Sequence, residues 1–65
     1  MVTYDAYAAI RDKRTMLDAE VAKESGINPS TFSDWRSGRS KPKLDKLMRI
    51  CAVLGVSVVD LIGED

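Results

Sequence analysis

Apolar side chains recur along this chain at three- and four-residue intervals, in short segments separated by residues that start or end helices. From Tyr4 to about Arg14 the apolar residues follow the spacing of one helix face. Thr3 stands just before this segment, and its hydroxyl can accept a backbone N–H of the first turn. The pattern predicts a first helix whose tyrosines line a core, with their hydroxyls reaching the surface.

The stretch from Asp18 to Gly38, DAEVAKESGINPSTFSDWRSG, predicts two short helices joined by a tight turn. Gly26 is expected to end the first of them, because glycine enters the left-handed conformation without a Cβ penalty. Asn28 is a good cap for the second, and Pro29 suits its first position. Helices joined by so short a turn cross steeply. The residues expected at their shared core are Val21, Ala22, Ile27, Phe32 and Trp35.

The downstream half predicts two more helices. From Leu44 to Leu54, apolar residues fall on a single stripe, which consists of Leu44, Leu47, Met48, Cys51 and Leu54. Gly55 is expected to end this helix, and Ser57 and Asp60 have the spacing of a capping box for a fifth. The chain is therefore predicted to be all-α, with five helices around one small core.

These motifs resemble the lambda-repressor/Cro-like (Xre-type) helix-turn-helix family. The small and apolar positions of its motif are matched by Ala22, Gly26, Ile27, Phe32 and Trp35. The segment SGRSKPKLDKLMRICAVLGVSVVDLIG is similar to the family's loop, fourth helix and closing segment. The resemblance implies a compact five-helix, lambda-repressor-like DNA-binding domain. Residues 1–65 would form this one domain, with the helix-turn-helix at about 18–38.

The resemblance makes the third helix the recognition helix. The residues placed by it at base edges are Asn28, Pro29, Ser30, Ser33 and Asp34. Serine hydroxyls pair with any base and specify weakly, whereas Asp34 can only accept and would select cytosine N4. Few side chains can therefore read bases directly, and we expect DNA shape and the pairing of half-sites to contribute to specificity.

Two further sets of residues follow from the same resemblance. Cationic and hydroxyl side chains around the loop after the recognition helix would contact phosphates. They are Arg36, Ser37, Arg39, Ser40, Lys41 and Lys43. The last helix carries more apolar surface than a short terminal helix needs, and it would supply a dimer contact through Val59, Leu61 and Ile62.

The sequence departs from the family pattern at two places. Leu17 occupies a position where relatives often carry a capping hydroxyl, so Asp18 or Thr15 is expected to satisfy the N–H groups of the second helix. A carboxylate at position 18 would also repel phosphate there. Arg36 stands where many relatives have a Glu paired with the first-helix arginine, here Arg11. Either an acid separates the two arginines, or Arg36 is turned outward to phosphate.

Charge and composition narrow the function classes. Ten basic and ten acidic residues give a formal net charge of zero, although basic residues crowd between positions 36 and 49. The chain has no His and one Cys, which argues against nucleophilic catalysis, a transition-metal site and an internal disulfide. No cofactor or small-molecule ligand is indicated. Neither a signal peptide nor a membrane span is predicted, and the cytoplasm is the expected location.

The function indicated is sequence-specific binding of double-stranded DNA by a bacterial or phage-type transcriptional regulator, expected to be a repressor. Its partners would be a second copy of the chain and an operator with inverted-repeat half-sites about 34 Å apart. The alternative is a protein-interaction module of the same fold, such as an antitoxin or an anti-repressor partner, that does not read DNA. Zero net charge and the acids Asp18 and Asp34 favour that alternative.

Overall fold

A computed structural model describes residues 2–62, and these form five helices with no strand. The helices are α1 (Tyr4–Lys13), α2 (Asp18–Ser25), α3 (Pro29–Ser37), α4 (Leu44–Leu54) and α5 (Val58–Ile62). The all-α, five-helix prediction is confirmed. The predicted domain also includes Met1 and residues 63–65, which lie outside the described residues.

Three of the helix starts are capped as the sequence predicts. The Thr3 and Asn28 side chains accept backbone N–H groups of α1 and α3, at 3.1 Å and 2.9 Å. Ser57 and Asp60 form a reciprocal capping box at α5, in which each accepts the other's backbone N–H. These local hydrogen bonds fix where the chain turns into each helix.

The start of α2 differs from the prediction that Asp18 or Thr15 would cap it. The Glu20 carboxylate instead accepts the backbone N–H of Leu17 at 2.8 Å. The Asp18 side chain is directed toward α1 and takes no part in capping its own helix. Half of a capping box thus forms without a hydroxyl at the N-cap position.

The core lies between the five helices, in which α2 packs against α3 and α4, and α1 packs against α3 and α5. Its buried residues come from every helix and from the turn after α2: Tyr7, Val21, Ala22, Ile27, Phe32, Trp35, Leu47, Ile50, Cys51, Leu54 and Leu61. The Tyr7 ring stacks on Trp35 at a centroid distance of 5.1 Å and lies 5.5 Å from the Phe32 ring. This aromatic group fixes the orientation of α3 against α1, because α3 is held by two side chains on one face.

The predicted core stripe of α4 is partly wrong. Leu44 and Met48 are 62% and 57% exposed, whereas Ile50, which was not predicted, is fully buried. With about 100° of rotation per residue, Ile50 lies in the same arc as Leu47 and Leu54, while Leu44 and Met48 lie on its flank. The helix packs against α2 and α5, and these two helices leave that flank uncovered.

Candidate nucleic-acid interface

The N-terminal half of α3, with its N-cap residue, presents a polar surface to solvent. Asn28, Pro29, Ser30 and Ser33 are all exposed, while Phe32 on the opposite side is buried. The Asn28 Oδ1 atom accepts the Ser30 N–H, so the Nδ2 group remains as a hydrogen-bond donor. Four of the five predicted base-reading side chains are thus brought together on one accessible face.

Asp34, the fifth predicted base-reading residue, lies at the edge of this face. Its side chain is 35% exposed, and its Oδ1 atom is 3.5 Å from Nη1 of Arg39. The Oδ2 atom makes no hydrogen bond to any of the residues 2–62. One carboxylate oxygen therefore faces a cation, and the other remains available to an outside donor.

The end of α3 brings the following loop back over Asp34. Gly38 adopts a left-handed conformation, with φ of 83°, which reverses the chain. The backbone N–H groups of Arg39 and Ser40 then donate to the Asp34 carbonyl at 2.8 Å and 3.3 Å. The Ser37 hydroxyl donates to the same carbonyl at 3.1 Å. These two N–H groups and the Ser37 hydroxyl are therefore engaged within the protein.

The predicted phosphate-contacting side chains lie close together in the chain and are all exposed. They are Arg36 and Ser37 at the end of α3 and Arg39, Ser40, Lys41 and Lys43 in the loop. Pro42 is buried between them, which anchors the loop to the domain. The four cations among them, Arg36, Arg39, Lys41 and Lys43, are thus exposed on or beside an anchored loop next to the α3 face.

A four-residue cluster that the sequence pattern did not predict joins the start of α2 to α1. The Asp18 carboxylate accepts the hydroxyls of Tyr4 and Tyr7, each at 2.6 Å. Nη1 of Arg11 donates to Asp18 at 2.7 Å and to the Tyr4 hydroxyl at 2.9 Å. A signal was present in the sequence, since Tyr4, Tyr7 and Arg11 share the i, i+3, i+7 face of one helix.

The cluster corrects two expectations. Tyr7 is fully buried, so its hydroxyl ends at Asp18 and does not reach the surface. The Asp18 carboxylate is directed at α1 and paired with Arg11, which removes the basis for its expected repulsion of phosphate. Asp18 instead links α2 to α1 through these hydrogen bonds.

The electrostatics of the cluster agree with this role. Burial alone would raise the pKa of Asp18, but hydrogen bonds from Tyr4, Tyr7 and Arg11 outweigh it and hold the pKa below its ordinary value. Burial, followed by the hydrogen bond to Asp18, raises the pKa of the Tyr7 phenol well above its usual range. Asp18 is therefore ionised and Tyr7 neutral at neutral pH.

The same cluster decides how the two arginines are accommodated. Arg11 pairs with Asp12 at 2.9 Å and with Asp18 at 2.7 Å, and its side chain is only 17% exposed. Arg36 is exposed and forms no ion pair with any of the residues 2–62. Asp18 thus takes the place of the glutamate that the family pattern puts at position 36, and Arg36 is left at the surface.

The predicted dimer residues divide into two kinds. Val59 and Ile62 are 72% and 43% exposed, as a contact surface requires. Leu61 is fully buried within the monomer, and its assignment to the dimer interface is wrong. Because α5 packs against α1 and α4, the side chain at the centre of its inner face is used to close the core.

Other kinds of site have little support in the described part of the chain. Cys51 is buried, and burial raises the pKa of its thiol, which disfavours the reactive thiolate. Within residues 2–62 no cluster of three potential metal ligands occurs. None of the helices described is long and apolar enough to cross a bilayer.

Comparisons with known proteins agree with this architecture. A family model described as helix-turn-helix, of the Cro/C1 type, matches residues 8–61. Among solved structures, the clp gene regulator ClgR from Corynebacterium glutamicum is similar, with 27% sequence identity and a TM-score of 0.81. The match covers 91% of this chain and 63% of the ClgR chain. No curated protein matches the sequence.

Proposed function

The chain belongs to the Cro/C1-type helix-turn-helix family, and on this premise we propose that it is a sequence-specific DNA-binding transcriptional regulator. The observation that carries the proposal is the polar, solvent-facing N-terminal half of α3 beside a loop of exposed cations. The similar structure of ClgR, which is described as a clp gene regulator, supports the same class of function. Residues 1–65 are taken as one DNA-binding domain that acts in the cytoplasm without a cofactor.

In the proposed complex, the N-terminal half of α3 enters a major groove. Asn28, Ser30 and Ser33 face the base edges, where a donor amide and two hydroxyls can pair. The cations of the adjoining loop contact phosphates on the flanking backbone and fix the register of α3. The small number of base-reading side chains makes phosphate contacts and DNA shape large contributors to affinity.

The regulator is proposed to act as a homodimer and as a repressor. Val59 and Ile62 supply exposed apolar surface on α5, and a second copy related by a two-fold axis would cover it. Two recognition helices would then read inverted half-sites about 34 Å apart, one helical turn of DNA. Occupying a promoter in this way would block transcription.

Selection from a random duplex library, followed by salt titration of the enriched DNA, tests this proposal. We expect an inverted repeat whose half-site centres lie about 10 base pairs apart. We also expect affinity to fall with salt, with a log–log slope of about −0.9 for each phosphate contact. A lack of enrichment at low salt, with weak binding that salt does not change, would overturn DNA recognition.

The second candidate is a protein-interaction module of the same fold. Two observations favour it: the net charge is zero, and the loop N–H groups and the Ser37 hydroxyl are engaged within the protein. A module of this kind would show no enriched sequence in the selection. It would bind a protein partner through the exposed apolar residues of α4 and α5, and added DNA would not compete with that partner for binding.

A further inference from the structure

We propose that Asp34 and Arg39 act as one unit in DNA recognition, in which Arg39 screens the Asp34 carboxylate from phosphate and leaves its second oxygen for a base. The inference rests on the proposed function and adds a coupling between two residues that would otherwise contribute separately.

The backbone places Arg39 beside Asp34 regardless of their side-chain charges. The left-handed Gly38 and the hydrogen bond from the Arg39 N–H to the Asp34 carbonyl, at 2.8 Å, return the chain over the last turn of α3. The Asp34 side chain takes no part in this turn. Replacing either side chain therefore leaves the loop in position, and the pair can be tested without disturbing the fold.

The Asp34 and Arg39 side chains differ in their exposure to solvent. Asp34 is 35% exposed and Arg39 is 77% exposed, and Nη1 and Oδ1 are separated by 3.5 Å. Arg39 uses only Nη1 in this contact, so Nε and Nη2 remain as donors toward solvent. A guanidinium can hold a carboxylate through one nitrogen and a phosphate oxygen through another, because its donors form a planar fork.

The consequence for DNA binding follows from charge. An isolated carboxylate at the edge of the α3 face would be repelled by the phosphates of the groove it enters. When Arg39 contacts Oδ1 of Asp34, the pair carries no net charge, while Oδ2 can still accept a hydrogen bond from the N4 amino group of a cytosine. Arg39 thus contributes twice, once by contacting phosphate and once by cancelling a charge that opposes binding.

A double-mutant cycle tests this coupling on the DNA selected by the wild-type protein. Asp34→Asn keeps the shape and removes the charge, and Arg39→Gln removes the cation. We expect Arg39→Gln to weaken binding about tenfold in the wild-type background but only about threefold in the Asp34→Asn background, a difference of the size expected for an exposed ion pair. In both backgrounds the salt slope should become less negative by about 0.9, the value for one lost phosphate contact.

Arg36→Gln is the matched control, because Arg36 is also exposed at the end of α3 but forms no ion pair with Asp34. Its loss of affinity should be the same in the wild-type and Asp34→Asn backgrounds. Equal losses for Arg39→Gln in the two backgrounds would overturn the coupling and leave the proposed function intact. Failure of the wild-type protein to bind any duplex in a salt-dependent way would instead overturn the proposed function, and with it the pair.

Discussion

Replacement of Asp18 by Ala should be among the most destabilising single changes at a charged position of this domain. Asp18 accepts hydrogen bonds from Tyr4, Tyr7 and Arg11 at 2.6 to 2.7 Å, and its side chain is only 26% exposed. Alanine removes all three acceptor contacts at once. It also leaves the Tyr7 hydroxyl, on a fully buried residue, without the acceptor that it has in the native fold.

The expected loss is about 3 kcal/mol. Hydrogen bonds to a charged group contribute roughly 1.5–3 kcal/mol each, but the three share one carboxylate and do not add in full. A domain of this length has a free energy of unfolding of roughly 3–10 kcal/mol, so the change would remove a large part of it. The melting temperature should fall by about 12–24 °C.

Urea unfolding followed by the fluorescence of Trp35 measures this loss directly. Trp35 is the chain's one tryptophan and is buried against Tyr7, so its emission changes on unfolding. Asp12→Ala is the control, because Asp12 also pairs with Arg11 but is 69% exposed. That variant should lose about 0–1 kcal/mol, as exposed ion pairs do.

The pH dependence gives the prediction a second readout. The pKa of Asp18 is lower in the folded state than in the unfolded chain, so its contribution is complete above the unfolded value, near pH 4. That contribution is lost as the pH falls through the folded pKa. The stability difference between wild type and Asp18→Ala should therefore be constant near neutrality and shrink at acidic pH.

Two results would refute this explanation of Asp18. The first is a loss below about 1 kcal/mol for Asp18→Ala, which would place Asp18 in the range of surface ion pairs. The second is a large gain in DNA affinity for the variant at a temperature where it is folded. Such a gain would show that the carboxylate repels phosphate, as the sequence alone suggested.

Three further predictions concern the proposed interface. Replacing Lys41 and Lys43 by Ala should weaken binding to all DNA sequences alike and make the salt slope less negative by about 1.8. The control Lys13→Ala, outside the predicted phosphate-contacting set, should leave the slope unchanged. An unchanged slope for the double variant would contradict the proposed phosphate contacts of the loop. Asp34→Ala should relax base preference at one pair of each half-site, by about 1–3 kcal/mol of discrimination; an identical preference across a randomised library would show that Asp34 does not read a base. Val59→Asp should shift the protein to monomer in sedimentation and weaken operator binding, since a charge on a dimer surface opposes association. An unaltered mass would contradict the assignment of α5 to the dimer interface.

Three of the helix starts, the helix ends and the turn of this protein were predictable because they depend on neighbouring residues. Thr3, Asn28 and the Ser57–Asp60 pair cap helices within three residues of themselves, and Gly26 and Gly38 end helices by their own conformational freedom. The spacing of Phe32 and Trp35 likewise determined which side of α3 faces inward. The solvent-facing side, with its predicted base-reading residues, followed from that choice.

Contacts between separate helices decided what the sequence pattern left open. Asp18 accepts hydrogen bonds from Tyr4 and Tyr7, which precede it by 14 and 11 positions. Its neighbours along the chain gave no indication of these contacts, so they predicted a carboxylate that faces phosphate. Leu61 and Leu44 are both apolar residues on amphipathic helices, yet one is buried and the other exposed. Local periodicity defines an apolar face, but the helices packed against that face determine how much of it is covered, and only the tertiary structure contains that information.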